Sequence, residues 1–318
     1  MLFFIYLWYN KTEVFSKGRN AVIYTVTFNP ALDYYMELSE LKEGLVNRAG
    51  DTYLQVGGKG INVSLVLKIL GESTVATGFV AGFVGKEVVR RLEATGVRTD
   101  FILLPDGNSR INVKFKGREI TEINAPGPAI PREAVTALIA KLEQLTAADT
   151  LVLAGSVPAD LPQDIYCRLL AITPAGVRTV VDATGSLLRA TLPYRPYLIK
   201  PNHHELGELF GRTLSTPDEV AECAALLQTE GARNVLVSMG DKGALLMDEE
   251  GVSHFLAAPK GVAKGTVGAG DSMVAGFLHG APYGPRVALR YGIAAGSATA
   301  FSRTLATKEE ICALLEKL

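Results

Sequence analysis

Residues 21–27 read AVIYTVT, a short apolar and β-branched run that predicts a buried strand. Runs of the same kind recur at 74–80, 150–154, 178–182, 197–199, 234–238 and 244–247. Helical patterns fall between most of them. The clearest spans 131–145, where Val135, Leu138, Ile139, Leu142 and Leu145 recur at helical spacing and Pro131 suits the first turn. Strands alternating with helices predict an α/β fold with a mostly parallel sheet covered on both faces. Ligands of such a sheet sit at the carboxyl ends of its strands.

Two stretches break the alternation, at about 34–56 and 108–123. In the second, Ile111, Val113 and Phe115 alternate with Asn112, Lys114 and Lys116, the pattern of an exposed strand. The two stretches can pair as a small sheet standing off the main body. An open sheet of this kind serves as a lid or as a dimer surface, because its edges must be covered. No internal repeat or low-complexity segment is present.

A length of 318 residues suits one large α/β domain or two smaller ones, and 48% apolar residues suffice for a large core. The formal charge of −1 argues against nucleic acid as the main partner. Cys167, Cys223 and Cys312 lie far apart with no CxxC or Cys/His cluster, so disulfides and structural zinc are not expected and a reducing cytoplasm fits best. The N-terminus stands apart. Residues 2–9 read LFFIYLWY, too short to span a bilayer, with no basic segment before them. Residues 11–20 are polar and linker-like. The expectation is that 1–20 are an appendage outside the fold, that the domain runs 21–318, and that no stable membrane insertion occurs. A short peripheral anchor is the weaker alternative.

Against that frame of strands, the segment Thr266-Val267-Gly268-Ala269-Gly270-Asp271-Ser272 stands out, with an apolar run over 273–278 behind it. Small residues before a helix let backbone N–H groups converge on an anion, and the helix dipole adds to the attraction. The acid is the odd element, since a phosphate repels it. Accepting a proton from an attacking hydroxyl would give it a task. Read alone, the segment is equally a tight turn with a capping Asp.

Gly57-Gly58-Lys59-Gly60 precedes a helical pattern over 61–70. It lacks P-loop spacing, but close backbone approach and a lysine suit a phosphate or sugar hydroxyl. A plain connecting turn is the other reading. Asn29-Pro30-Ala31-Leu32-Asp33 follows the first strand, and the turn would leave Asp33 at that strand's carboxyl end, placed to bind paired hydroxyls or merely to close an Asx turn. Arg48 and Arg110 lie in the lid stretches, as phosphate forks or solvated charges. In Lys200-Pro201-Asn202-His203-His204-Glu205, the Asn and Glu three apart suit a water-bridged Mg²⁺ held mainly by phosphates, and also a capping box. The adjacent histidines diverge and are expected in solvent. Small residues at Ser238, Gly240 and Gly243 allow a flat approach by a nucleotide, or simply close a hairpin.

The order of these segments is more telling than any one of them. NPALD, GGKGINVS, AGSVP at 154–158, KPNHHE, SMGDKG and TVGAGDSMVAGF together resemble the ribokinase/PfkB family of carbohydrate kinases, over about residues 21–302. The resemblance implies a three-layer α/β/α core with a small β-sheet lid, ATP and Mg²⁺ as cofactors, and a homodimer formed through the lid sheets. It implies Asp271 as catalytic base, with Gly268, Ala269 and Gly270 as the anion hole. Asp33, Gly58, Lys59 and Asn62 would hold the sugar, and Gly155 and Ser156 would line its pocket. Arg48 and Arg110, with Lys59, would meet a phosphate already on the sugar. Lys200, Asn202 and Glu205 would organise the ATP phosphates and metal, and Ser238, Gly240, Gly243 and Thr266 would border the nucleotide. Two arginine forks favour a phosphosugar over a free sugar. The expected reaction is phosphorylation of D-fructose 1-phosphate at O6. Tagatose 6-phosphate is the rival acceptor, and a non-catalytic sugar-phosphate sensor is the rival of another class.

Overall fold

The computed structural model describes residues 21–117 and 120–318. The expectation for residues 1–20 lies outside them. Among the described residues, thirteen strands form two sheets. They are β1 (Ile23–Thr27), β2 (Ala31–Glu37), β3 (Asp51–Gly57), β4 (Thr74–Ala81), β5 (Arg98–Leu104), β6 (Arg110–Lys116), β7 (Ile120–Ile123), β8 (Thr150–Ala154), β9 (Arg178–Asp182), β10 (Leu198–Ile199), β11 (Asn234–Ser238), β12 (Ala244–Met247) and β13 (Ser253–Leu256).

The main sheet has nine strands in the order β13-β12-β11-β10-β9-β8-β1-β4-β5. It is parallel from β11 to β5, and β12 and β13 add an antiparallel edge. The central strands are buried on both faces, as continuous apolar runs require. On β8 the alternation is explicit. Leu151 and Leu153 pack toward the helices Arg132–Leu142, Ile165–Ile172 and Pro217–Thr229, whereas Val152 and Ala154 pack toward Lys59–Leu70, Ala269–Gly280 and Pro285–Phe301. The three-layer α/β/α arrangement is therefore present, with a core on each side of the sheet.

Every predicted core strand is found. β5 and β13 were not anticipated. Both are edge strands with exposed positions mixed into the apolar ones, so neither reads as a buried run. The helix predicted over 131–145 is Arg132–Leu142, with Pro131 at its N-cap. The helix expected from residue 61 starts at Lys59, so GGKG ends inside a helix rather than closing a loop.

The small sheet has the order β3-β2-β6-β7. β2 and β6 are parallel, with Asp33 opposite Asn112 and Tyr35 diagonal to it opposite Lys114. β2 starts three residues before the expected lid boundary of 34, at Ala31. Asp33 therefore lies within β2 and not at the carboxyl end of β1. One face of this sheet carries Asp33, Tyr35, Asn112 and Lys114. The other carries Leu32, Tyr34, Met36, Ile111, Val113 and Phe115, with Leu54 and Ile123 across the register. Leu54, Ile111 and Ile123 are exposed. Arg303, just past the helix Pro285–Phe301, reaches back to the lid. It pairs with Glu37 at 2.9 Å and Asp51 at 2.6 Å and lies over the Tyr53 ring.

Candidate active site

A cavity of about 1120 Å³ runs along the carboxyl ends of β9 to β11, under the lid. The sheet order sets its layout. The lid follows β1, Asp182 ends β9, Lys200 follows β10, and Ser238 ends β11. Asp33, Gly58, Lys59, Asn62 and Arg110 therefore line one end. Asn202, Glu205, Ser238, Gly240 and Gly243 line the other, and Thr266, Gly268, Ala269, Gly270 and Asp271 lie along the wall with Lys200.

Asp271 sits in the first turn of the helix Ala269–Gly280, whose N-cap Gly268 has φ 80°. A side chain at Gly268 would be strained by that dihedral and would meet Leu305 Cδ2 at 2.8 Å. A Cβ on Gly270 would lie 3.0 Å from Lys200 Nζ, so the lysine ammonium lies against the backbone of this turn. The turn spends one of its donors internally, because Ala269 N–H donates to Thr266 O. The Gly270 and Asp271 N–H groups have no acceptor among the described residues. Of the three residues expected to form an anion hole, Ala269 thus has its N–H engaged within the turn, and the Lys200 ammonium lies beside Gly270.

Asn62 Nδ2 donates to Asp271 Oδ2 at 2.8 Å and fixes the carboxylate. Asp271 is only 5% exposed. Burial, then the nearby Asp182 charge, push its pKa up to about 6, against the opposing pull of Asn62, Lys59 and Lys200. Asp182 was missed by the sequence reading. It is 1% exposed and takes Lys59 Nζ at 3.2 Å and Lys200 Nζ at 3.7 Å on one oxygen. Burial alone would lower the Lys59 ammonium, but the Asp182 charge, followed by that of Asp271, holds it above its ordinary value. The only sequence signal for Asp182 was an acid closing an apolar run.

The lid end holds two further residues that were not anticipated, Asn112 and Lys114. Asn112 Nδ2 donates to Asp33 Oδ1 at 2.8 Å, and Lys114 Nζ lies 3.5 Å from Asp33 Oδ2. Arg110 Nε donates to Asn29 O at 3.1 Å. Burial pulls its pKa below the usual range, with Asp33 opposing. Its terminal nitrogens have no anionic partner among the described residues. Arg48 does not join it. It is exposed in the connection between β2 and β3 and does not line this cavity. Gly155 and Ser156 are likewise not part of the lining. Gly155 backs it, since a Cβ there would lie 3.9 Å from Lys59 Cβ, and Ser156 is exposed.

Asn202 and Glu205 form a capping box. Asn202 Oδ1 accepts from the N–H groups of His204 and Glu205, and Glu205 Oε2 accepts from Asn202 N–H. That leaves Glu205 Oε1 open. His203 is half-buried and not in solvent as expected. Burial, then His204, lower its pKa, and both rings line the cavity. Mg²⁺ takes hard oxygen donors and keeps several waters. Asp182 Oδ2 is buried with no hydrogen-bond partner, and with Glu205 Oε1 it supplies carboxylate oxygens that fit such an ion.

Cations along one wall and a protected carboxylate at a helix N-terminus are what a phosphotransferase needs to handle a phosphate beside a hydroxyl. The sequence pattern of the pfkB family carbohydrate kinases matches residues 26–312, and the chain belongs to that family. It is 41% identical to 1-phosphofructokinase of Bacillus subtilis (strain 168) over 300 residues, 93% of this chain and 98% of that one. It is 38% identical to D-tagatose-1-phosphate kinase of Bacillus licheniformis over 288 residues, 89% of this chain and 94% of that one. Among solved structures, phosphofructokinase-2 of Escherichia coli in complex with substrates and products superposes with a TM-score of 0.88 at 30% identity, covering 94% of this chain and 99% of that one. The fold is thus ribokinase-like.

Proposed function

We propose that the chain transfers the γ-phosphoryl group of ATP to O6 of D-fructose 1-phosphate, giving fructose 1,6-bisphosphate and ADP. The observation that carries this is Asp271, a buried carboxylate fixed by Asn62 in a turn whose Gly270 and Asp271 N–H groups have no acceptor among the described residues. In this reading the O6–phosphorus bond forms as the bond to the ADP oxygen breaks, and the O6 proton passes to Asp271. General-base catalysis of this kind contributes about 10²–10⁴ in rate. The Gly270 and Asp271 N–H groups and Lys200 meet the charge on the γ-phosphoryl oxygens. Arg110 and Lys59 take the phosphate already on the sugar, and Asp33 accepts its hydroxyls. Ser238, Gly240, Gly243 and Thr266 border the nucleotide. Asp182 and Glu205 would hold Mg²⁺, with Asn202 reached only through water, and the ion would neutralise the nucleotide phosphates when bound. The lid excludes water that would otherwise take the phosphoryl group.

A second acceptor is supported by the Bacillus licheniformis relative, whose name points to tagatose 1-phosphate. The phosphate there sits on C1, not on C6 as in the tagatose 6-phosphate reading. ADP release measured with fructose 1-phosphate, tagatose 1-phosphate, tagatose 6-phosphate, fructose 6-phosphate and ribose decides among them. A kcat/KM that is not highest for fructose 1-phosphate overturns the substrate assignment. No ADP release with any acceptor would favour the sensor.

The apolar outer face of the lid supports a homodimer in which two lid sheets cover each other. Sedimentation at micromolar concentration tests this, and a monomer throughout would remove it. No helix among the described residues is long and apolar enough to cross a membrane.

A further inference from the structure

Lys114 is the least expected side chain in the lid. It lies in the middle of β6, and only 6% of its side chain is exposed. A lysine is almost never buried unless its charge is paired. Its ammonium lies 3.5 Å from Asp33 Oδ2 and 3.2 Å from Glu122 Oε1, and 5.6 Å from the centre of the Tyr35 ring. An ammonium has three donors; one bonds Glu122, and the contact with Asp33 is an ion pair rather than a hydrogen bond. Lys114 thus keeps donor capacity that no hydrogen bond among the described residues uses, and it lines the cavity beside Asp33 and Arg110.

Asp33 is gripped as tightly. Asn112 holds Oδ1 at 2.8 Å, Lys114 faces Oδ2, and a Cβ on Gly57 would meet Oδ1 at 2.9 Å. Each carboxylate oxygen keeps lone-pair capacity for one more donor. The pair therefore offers an acceptor and a donor side by side, the complement of a sugar hydroxyl, which is both. A phosphate is the poorer match, because two carboxylates already share the Lys114 charge. Arg110, with free terminal nitrogens, is the better phosphate partner.

We propose that Lys114 is a specificity-determining residue that donates to a ring hydroxyl of the phosphosugar while holding Asp33 ready to accept from that hydroxyl or its neighbour. This rests on the phosphosugar kinase reading above. A site built to bond a hydroxyl rejects an analogue lacking it, because its buried polar groups are left unpaired.

The test compares wild-type protein with Lys114→Met on fructose 1-phosphate and on its 3-deoxy and 4-deoxy analogues. The wild type is expected to prefer the parent over one analogue by about 10⁴ in kcat/KM. Lys114→Met should shrink that preference at least tenfold, while the KM for ATP, set at the far end of the cavity, stays within about twofold. A purely structural role would lower parent and analogue alike and leave the ratio unchanged. Should the Met variant fail to fold, Lys114→Gln keeps a neutral donor between the two carboxylates, and an intermediate loss of preference is expected. A folded variant that keeps the wild-type ratio overturns the proposal. A wild type that turns over another phosphosugar instead overturns the substrate assignment alone, and the ratio is then read on that sugar and its deoxy analogues. A wild type inactive on every acceptor overturns both.

Discussion

Replacing Asp271 by Asn should cost activity and add stability. Asn has the shape of Asp, and its amide oxygen can still accept from Asn62 Nδ2, so the local geometry is kept. What disappears is the charge. Without a base to take the O6 proton, kcat should fall by about 10²–10⁴, and the KM for the phosphosugar should move little. Stability runs the other way. The carboxyl is held near 6 in the fold against an ordinary value of 3.8, so at pH 8, where folded and unfolded chains both carry the charge, its ionised form destabilises the fold. Roughly two pKa units correspond to a ceiling on the order of 3 kcal/mol, reduced by whatever Lys59 and Lys200 lose in the mutant. That penalty fades as pH falls from above 6 toward 4, since the folded carboxyl binds its proton first. Asp271→Asn should therefore melt higher than the wild type at pH 8, with the gap closing near pH 4. Coupled ADP-release kinetics and thermal melts at both pH values measure the two effects. Turnover within tenfold of wild type would take the base role away from Asp271. A mutant melting lower than wild type at pH 8 would refute the burial cost.

Two further outcomes follow from the same site. With the base raised to about 6, wild-type kcat/KM should fall roughly tenfold per unit as pH drops below that value, and a profile flat down to pH 5 would show that no such base limits the reaction. Arg110→Ala should raise the KM for the phosphosugar at least about tenfold while leaving that for ATP within about twofold, since a charge-assisted fork is lost at one end of the cavity only. Equal changes in both constants would assign Arg110 to holding the lid.

The strands of the core were legible because each is buried on both faces, which leaves a continuous apolar run that few other structures produce. The edge strands were not, because β5 and β13 meet solvent and their exposed positions dilute the pattern. In the site, glycine-rich turns announced themselves by composition. Asp182 did not, because an acid closing a strand looks the same whether it meets water or two lysines from residues 59 and 200. Lys114 and Asn112 showed the right alternation, but alternation alone does not say which face of a lid turns inward. Arg48 shows the converse failure. A lone arginine carries no sign of where its loop will point, and its loop leaves it exposed.

The lid is assembled from two distant pieces of chain. The hydrogen bond between Asn112 and Asp33 joins residues 79 positions apart, and the intervening segment contains β4, the helix Gly82–Ala94 and β5, all docked on the main body. Contacts that close long loops carry an entropic cost before they stabilise anything, so they tend to form late. β6 reaches β2 only by way of a segment that packs beside β1. On the ribosome, β2 and β3 must wait for β6 to be made before their sheet is complete. The lid end of the cavity, the proposed sugar site, is thus expected to be among the last parts to order, and a newly made chain should complete that site only after the sheet beneath it has assembled.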